Sequence, residues 1–588
     1  MERKDIDEKY TWDLSQIYVS NDLFYQDLEI AKELLKNLIN QRDSFLDSLE
    51  SCLKFHEENT KLDRYASKLY CFAHLHCDVE PQNQEYQTML SSVLSFLNEY
   101  TIALDFYSNQ MIDNDKIVKG YLQDESLKNY RYSISEVLRE KEHILSQEME
   151  TLLSKTGAMS EVSEKVFDAL RLEYEDVLVD GEKKTLNSAT LSEFLKHKDR
   201  DVRKQAYHHF FKEYKKFENV FAATLSGIME KDAFYANVRN FNDPLEASLF
   251  NDNVPTDLFY KILDKANKEY RPLFHRYNAL KKRILKFDTM YNYDLSVPLV
   301  ESIDKKYSIE ECFDIINEAL KPLGEDYLKI INKAKEERWI DYYPTKGKRI
   351  GAYSSGCYDT NPYILMNFIG DYNSLSTMIH ELGHSVHTYL SNSNQHPANA
   401  SYRIFVAEVA STVNETFLIQ YMLDHSQTKE EKAYFLYELL ENCVGLIFRQ
   451  PMYAHFEHIL HNQAKDHIPM SAQTITELYD KINDEYYGDD VVNDELVGHS
   501  CFYIPHFYYN YYVYKYTLGM TVALAIVSRI LNGDKDQVLY YLNFLKSGGS
   551  LSPVELLKNA HVDPLDDSIY DDAFHYFEDI LNQFEELI

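Results

Sequence analysis

The chain has 588 residues, 45% of them hydrophobic and 27% charged, the balance of a folded globular protein rather than a disordered one. Its net charge of −34 argues against nucleic acid as a partner, because that binding depends on cations neutralising phosphates, and disfavours anionic membranes for the same reason. With only 17 glycines and 14 prolines to make turns, the sequence is ill suited to large sheets, and a mainly α fold is expected.

The first residues, Met1-Glu-Arg-Lys-Asp-Ile-Asp, are charged and contain no apolar core of a secretion signal. From about Leu23 to Leu172, apolar residues recur at three- and four-residue spacing, which predicts successive amphipathic helices. The first break runs from Tyr174 to Lys184. There Asp180-Gly181, flanked by alternating residues, predicts a tight β-hairpin, and Asn187-Ser-Ala-Thr-Leu after it suits the start of a helix. A domain boundary is placed between about 175 and 200, and helical patterning resumes through Arg283.

A second break extends from Arg338 to Phe368, where Pro344, Gly347, Gly351 and Gly356 interrupt the helical period. The short apolar run Tyr363-Ile-Leu-Met-Asn-Phe predicts a buried strand, hence a small sheet. After Asp371 the pattern returns to helix and largely keeps it. The longest apolar stretch, Val522 to Val527, falls far short of a membrane span. The seven cysteines are odd in number, scattered and without a CxxC pair. They suit neither a disulfide framework nor a cysteine zinc site, and they fit a reducing, cytoplasmic setting.

One motif carries chemistry. His380-Glu-Leu-Gly-His384 is an HExxH sequence. On a helix, residues i and i+4 lie one above the other, about 6 Å apart along the axis. His380 and His384 can therefore reach one zinc ion per chain from the same face, and Glu381 beside them can accept a proton from a polarised water. Leu375, Met378, Ile379, Leu382 and Val386 form an apolar stripe roughly opposite the histidines, with Asn373 or Ser374 as the expected N-cap. A lone histidine is more often a satisfied core or surface residue than a ligand; two in this frame favour a metal.

The third ligand is less directly specified. A metzincin pattern requires glycine at 387 and histidine at 390, whereas this chain has His387 and Leu390. His387 follows His384 by three residues, but it stands about 10 Å from His380 along an unbroken helix, so a neighbouring or substrate-facing role is favoured. Glu408 is the preferred candidate. It sits between Ala407 and Val409 in a second helical stretch, after the loop Ser391 to Ala398, and a partly buried carboxylate there would need a partner such as a metal. Glu415, two turns on, is placed to support a ligand by hydrogen bonding.

These stretches, together with Tyr10-Thr-Trp-Asp-Leu, Gly351-Ala-Tyr-Ser-Ser-Gly, Phe405-Val-Ala-Glu-Val-Ala-Ser-Thr-Val-Asn-Glu and Ile504-Pro-His-Phe-Tyr-Tyr-Asn-Tyr-Tyr-Val-Tyr-Lys-Tyr, resemble the oligoendopeptidase F family of thimet-oligopeptidase-like zinc metallopeptidases. The resemblance spans nearly the whole chain. It implies a mainly α, two-lobed molecule with a deep central cleft and a small β-sheet near the zinc helix. Residues 1–185 would form an N-terminal helical domain and residues 186–588 the catalytic metallopeptidase domain. It implies zinc held by His380, His384 and Glu408, with Glu381 as base, and internal cleavage of short unstructured peptides. From the tyrosine-rich segment it implies donors to the tetrahedral intermediate, and His506, Tyr509 and Tyr512 are the expected ones, set against packing aromatics as the plainer alternative. Gly351 to Tyr358 is expected to pair with extended substrate by strand addition. Two other readings stand beside this one: a thermolysin-like or carboxypeptidase-like zinc enzyme sharing HExxH and a later glutamate, and a helical binding protein whose motif is vestigial or accidental.

Overall fold

The computed structural model describes residues 2–588. Helices dominate, as the scarcity of turn formers requires. In chain order the elements that matter here are α1 (Asn21–Asn40), α2 (Leu49–Val79) and α3 (Gln84–Ala103); the hairpin β1 (Val177–Val179) and β2 (Glu182–Lys184); α4 (Glu218–Val238); the strands β3 (Ile340–Asp341), β4 (Tyr353–Ser355) and β5 (Tyr363–Leu365); and α5 (Tyr372–Asn394), α6 (Ile404–Asp424), α7 (Gln450–Lys465) and α8 (Lys535–Lys546). No helix among the described residues is long and apolar enough to cross a membrane.

The chain forms two compact units, neither of them one continuous stretch. The first comprises residues 1–142, 304–421 and 526–563, the second residues 143–303, 422–525 and 564–588. Residue 185 falls inside a segment of the second.

In the first unit α1 packs on α2 and α2 on α3. Phe24, Leu28, Ala31, Leu35 and Leu38 line one face of α1, the four- and three-residue spacing that a helix needs to bury a single stripe. That core continues through Phe55, Leu62 and Phe72 of α2 into Tyr363 and Leu365 of β5. The sheet has the order β3–β5–β4, with β3 parallel and β4 antiparallel to the central β5. Its middle strand is wholly buried, as an apolar run without alternation predicts. β4 is an edge strand. Behind the sheet, a buried ion pair fixes the connection from β3 to β4: the Lys348 ammonium donates to Asp341 Oδ1 (2.7 Å) and to the carbonyls of Asp341 and Tyr343, while Arg3 takes Asp341 Oδ2 (2.7 Å).

In the second unit the hairpin turn forms at Asp180-Gly181, both left-handed (φ 51° and 84°), with Val179 opposite Glu182. Two consecutive left-handed residues give the primed turn whose twist matches the strands, which is why the Asp-Gly pair predicts it. α4 packs along α7.

Candidate metal centre

α5 begins at Tyr372, and its N-cap is Asp371, not Asn373 or Ser374. Asp371 Oδ1 accepts from the Ser374 backbone N–H and hydroxyl, both at 2.8 Å. The helix runs on to Asn394, so the expected loop from Ser391 shrinks to two residues before a short helical turn at Pro397–Ala400. Leu375, Met378, Ile379, Leu382 and Val386 are buried, the stripe the sequence predicts. They anchor the helix and leave His380 and His384 on the opposite, accessible side.

α6 approaches α5 more closely than two ordinary helices can. A Cβ at Gly383 would lie 2.7 Å from the Ala410 carbonyl oxygen and 2.8 Å from Ser411 Cα, so only glycine fits. One turn away, the buried Asn414 locks the register: its Nδ2 donates to the Ile379 carbonyl (3.0 Å) and its Oδ1 accepts from the Tyr327 hydroxyl (2.7 Å). This contact brings Glu408 over the two histidines.

His380 Nε2 and His384 Nε2 are 3.2 Å apart, and each is 3.6 Å from Glu408 Oε2. Among the described residues, these three form the one group of this kind able to share a metal ion. Tetrahedral zinc with bonds of about 2.0–2.1 Å holds its ligand atoms roughly 3.3 Å apart, so the spacing fits the ion. So does the chemistry of two imidazoles and a carboxylate. The surrounding groups hold these donors in place. His380 Nδ1 lies 3.3 Å from Glu415 Oε2, the His384 ring is hydrogen-bonded to the Ala407 carbonyl, and the Ser411 hydroxyl donates to Glu408 Oε2 at 3.0 Å.

Glu381 differs from Glu408. It is buried, whereas the Glu408 side chain is 45% exposed. It accepts a hydrogen bond from the Ser354 backbone N–H on β4, while its Oε2 is buried with no hydrogen-bond partner. Burial pushes its carboxyl up to about 7, Glu408 and Glu415 adding to the effect and His380 opposing it. Burial works against charge on His380 too, but the bond to Glu415 and the nearby carboxylates outweigh it and hold the ring up at about 9. Burial and the His380 charge push His384 down to about 4. The two facing Nε2 atoms, 3.2 Å apart, cannot both carry a proton.

His387 takes no part in this group. It is buried, stacked on Tyr402 (ring centroids 3.7 Å apart) and close to Phe544, so it faces the core rather than substrate. Gly383, the Ser354 N–H and the Asp371 cap are contributions the sequence reading missed. The glycine and the Ala410-Ser411 pair were the signal available for the first.

His506, Tyr509 and Tyr512 belong to the second unit, the histidines and Glu408 to the first. The tyrosine segment sorts by burial. Tyr508, Tyr511 and Tyr514 are buried, and the Tyr508 hydroxyl is 2.7 Å from Thr224 Oγ1. His506, Tyr509 and Tyr512 are accessible and cluster, with the His506 ring 5.8 Å from Tyr509 and 6.4 Å from Tyr512. Tyr516, not singled out by sequence, joins them at 5.9 Å from His506 and 5.4 Å from Tyr512.

Comparison with known proteins decides the family. A profile of Peptidase family M3 matches residues 194–576, and one of Oligopeptidase F matches residues 112–173. The chain belongs to peptidase family M3. Within the family it groups with oligoendopeptidase F: it is 36% identical to oligopeptidase PepF of Bacillus subtilis over all of this chain and 88% of that protein. Oligoendopeptidase-F of Enterococcus faecium, a crystal structure, is 30% identical, with a TM-score of 0.73 over 96% of this chain and 99% of that one. A crystal structure of a Chlamydophila abortus protein superposes with a TM-score of 0.94 and 31% identity over the whole of both chains. The helical fold is thus that of the M3 metallopeptidases, and the chain is a metallopeptidase, a hydrolase whose family implies a catalytic metal, generally zinc.

Proposed function

We propose that the chain is a zinc-dependent oligoendopeptidase that hydrolyses internal bonds of short unstructured peptides, with one zinc ion held by His380, His384 and Glu408. The observation that carries this is the triangle of donor atoms at 3.2, 3.6 and 3.6 Å, matched to one tetrahedral ion. Zinc bound there supplies Lewis acidity that acidifies a water and polarises the scissile carbonyl. Glu381 is the general base. Its unpartnered Oε2 takes one proton as the water oxygen bonds to the carbonyl carbon, and returns it to the amine nitrogen as the C–N bond breaks. His506, Tyr509 and Tyr512 donate hydrogen bonds to the oxyanion that forms. The Ser354 N–H keeps the Glu381 carboxylate aimed, which ties β4 to the chemistry.

β4 is hydrogen-bonded to β5 on one side, and its other edge suits an extended peptide. Recognition through main-chain groups reads peptides with little regard to side chains. Substrates are therefore short peptides, with neither nucleic acid nor membrane as partner, and the seven unpaired cysteines suit a cytoplasmic enzyme.

Glu381→Gln is the test. The variant is expected to bind zinc like the parent and to lose about 10³-fold or more of its turnover, read by metal analysis and by mass spectrometry of cut peptides. Substantial residual cleavage, or products consisting of single terminal residues released by the parent enzyme, would count against the proposal.

A further inference from the structure

The tyrosine segment of the second unit contains a backbone feature that packing alone does not explain. Asn510 and Tyr511 are consecutive left-handed residues, with φ of 43° and 54°. Neither is glycine. A residue with a Cβ resists this conformation, and two in succession persist only where the surroundings hold them.

The holding groups come largely from one face of α7. The Tyr511 N–H donates to Glu457 Oε1 at 2.5 Å. The Tyr511 ring stacks on His461 (centroids 4.5 Å apart) and meets the edge of Phe259, and its hydroxyl is 3.1 Å from His458 Nδ1. His461 is itself pinned between the Glu457 backbone carbonyl (3.1 Å) and Asp232 Oδ2 of α4 (3.2 Å). From the other side, the Ser248 hydroxyl donates to the Asn510 carbonyl at 2.9 Å.

Glu457 is the unusual member. It is fully buried, and its Oε2 has no hydrogen-bond partner. Burying a carboxyl with half its capacity unmet is costly, and simple packing would be served as well by an apolar side chain. Its one specific contact is to the main chain of the left-handed turn. Around that turn the aromatic rings divide: Tyr508, Tyr511 and Tyr514 inward, His506, Tyr509, Tyr512 and Tyr516 outward as one cluster.

We propose that Glu457 is a positioning residue for peptide-bond hydrolysis, holding the Asn510–Tyr511 turn through the Tyr511 N–H and so fixing the stance of His506, Tyr509 and Tyr512. This rests on the reading that those three side chains serve the oxyanion. Glu457 itself touches no substrate. Its carboxyl, pushed up to about 7 by burial, accepts the Tyr511 bond whether or not it carries a proton on Oε2.

The test is steady-state kinetics of the zinc-loaded full chain on a short quenched peptide, together with the affinity of a phosphinic peptide whose tetrahedral phosphorus mimics the oxyanion. Glu457→Gln keeps an acceptor for Tyr511 and is expected to hold kcat within about 3-fold. Glu457→Leu removes the acceptor and is expected to lower kcat by about 10- to 100-fold, with KM nearly unchanged and phosphinic-peptide affinity falling by a similar factor. Zinc content should hold and the unfolding midpoint should not fall, which separates positioning from mere stability. Parental kcat in Glu457→Leu overturns the proposal, as does an equal loss in the Gln variant. Should the Leu variant not fold, Ser248→Ala removes the other anchor from a half-buried position. A several-fold fall in kcat at constant KM then supports the proposal, and unchanged kcat overturns it. His506→Ala, Tyr509→Phe and Tyr512→Phe tell the two failures apart. If none lowers kcat, the oxyanion reading falls and the positioning proposal with it; if they do while Glu457→Leu does not, only the positioning proposal falls.

Discussion

Four glutamates show how environment assigns roles to one side chain. Glu381 and Glu408 lie near the same two histidines, yet the first is buried with an idle oxygen and the second is half exposed and shared between two imidazole nitrogens. Glu415 contacts the far nitrogen of His380, where it fixes the ring and makes it a stronger donor. Glu457 is buried in the second unit, with burial raising its carboxyl to about 7 against the pull of His461 and the Tyr511 N–H. The sign for stability follows from that direction. A carboxyl raised in the folded chain contributes stability that is complete below its unfolded value of about 4.3 and lost as pH rises through about 7. Relative to the parent, Glu457→Gln should therefore gain stability between pH 4.5 and 7.5, by on the order of 3 kcal/mol at most, measured by urea unfolding across that range. A difference that is flat with pH would contradict the assignment. Of the candidate site, the placement of His380, Glu381 and His384 together was legible because one helix fixes their mutual geometry. Glu408 was less so, since spacing along the chain does not say which distant residue returns; nor did it show that His387 would turn into the core against Tyr402.

At the scale of elements, the centre depends on how closely two helices cross. α5 carries the histidines and α6 the glutamate, and they meet where Gly383 faces the backbone of Ala410 and Ser411. Gly383→Ala would gain helix propensity, but its Cβ must push α6 away. The expected net cost is about 1–3 kcal/mol, with a loss of zinc affinity of at least about 10-fold as Glu408 retreats. Calorimetric unfolding and zinc titration measure the two, and an unchanged zinc affinity would mean that the crossing does not set the site. Sequence periodicity showed both helices and their apolar faces, because a helix period is a local property. It did not show the crossing, which depends on the absence of a side chain at one position. The hairpin at Asp180-Gly181 was legible for the opposite reason, since its turn is written in two adjacent residues. The cap was misplaced because Asn373, Ser374 and Asp371 all suit the role. What decides is that Asp371 reaches the N–H three residues on.

At the scale of the whole molecule, each unit gathers segments from distant parts of the chain. Composition predicted the helical class and family likeness the enzyme, but order along the sequence does not reveal which segments share a core. The β5 strand, for example, completes the core built by α1 to α3. A metal in the first unit would offset the mutual repulsion of Glu381, Glu408 and Glu415. Stripping it with a chelator should lower the unfolding midpoint, and zinc in about 100-fold excess over its Kd should restore about 2.7 kcal/mol. An identical midpoint with and without chelator would argue against a bound ion. The most direct test is diffraction from crystals grown with zinc, recorded on both sides of the zinc absorption edge. The expected result is one anomalous peak about 2.0–2.2 Å from His380 Nε2, His384 Nε2 and a Glu408 carboxylate oxygen. A peak bound elsewhere, or none between these three side chains, would contradict the account.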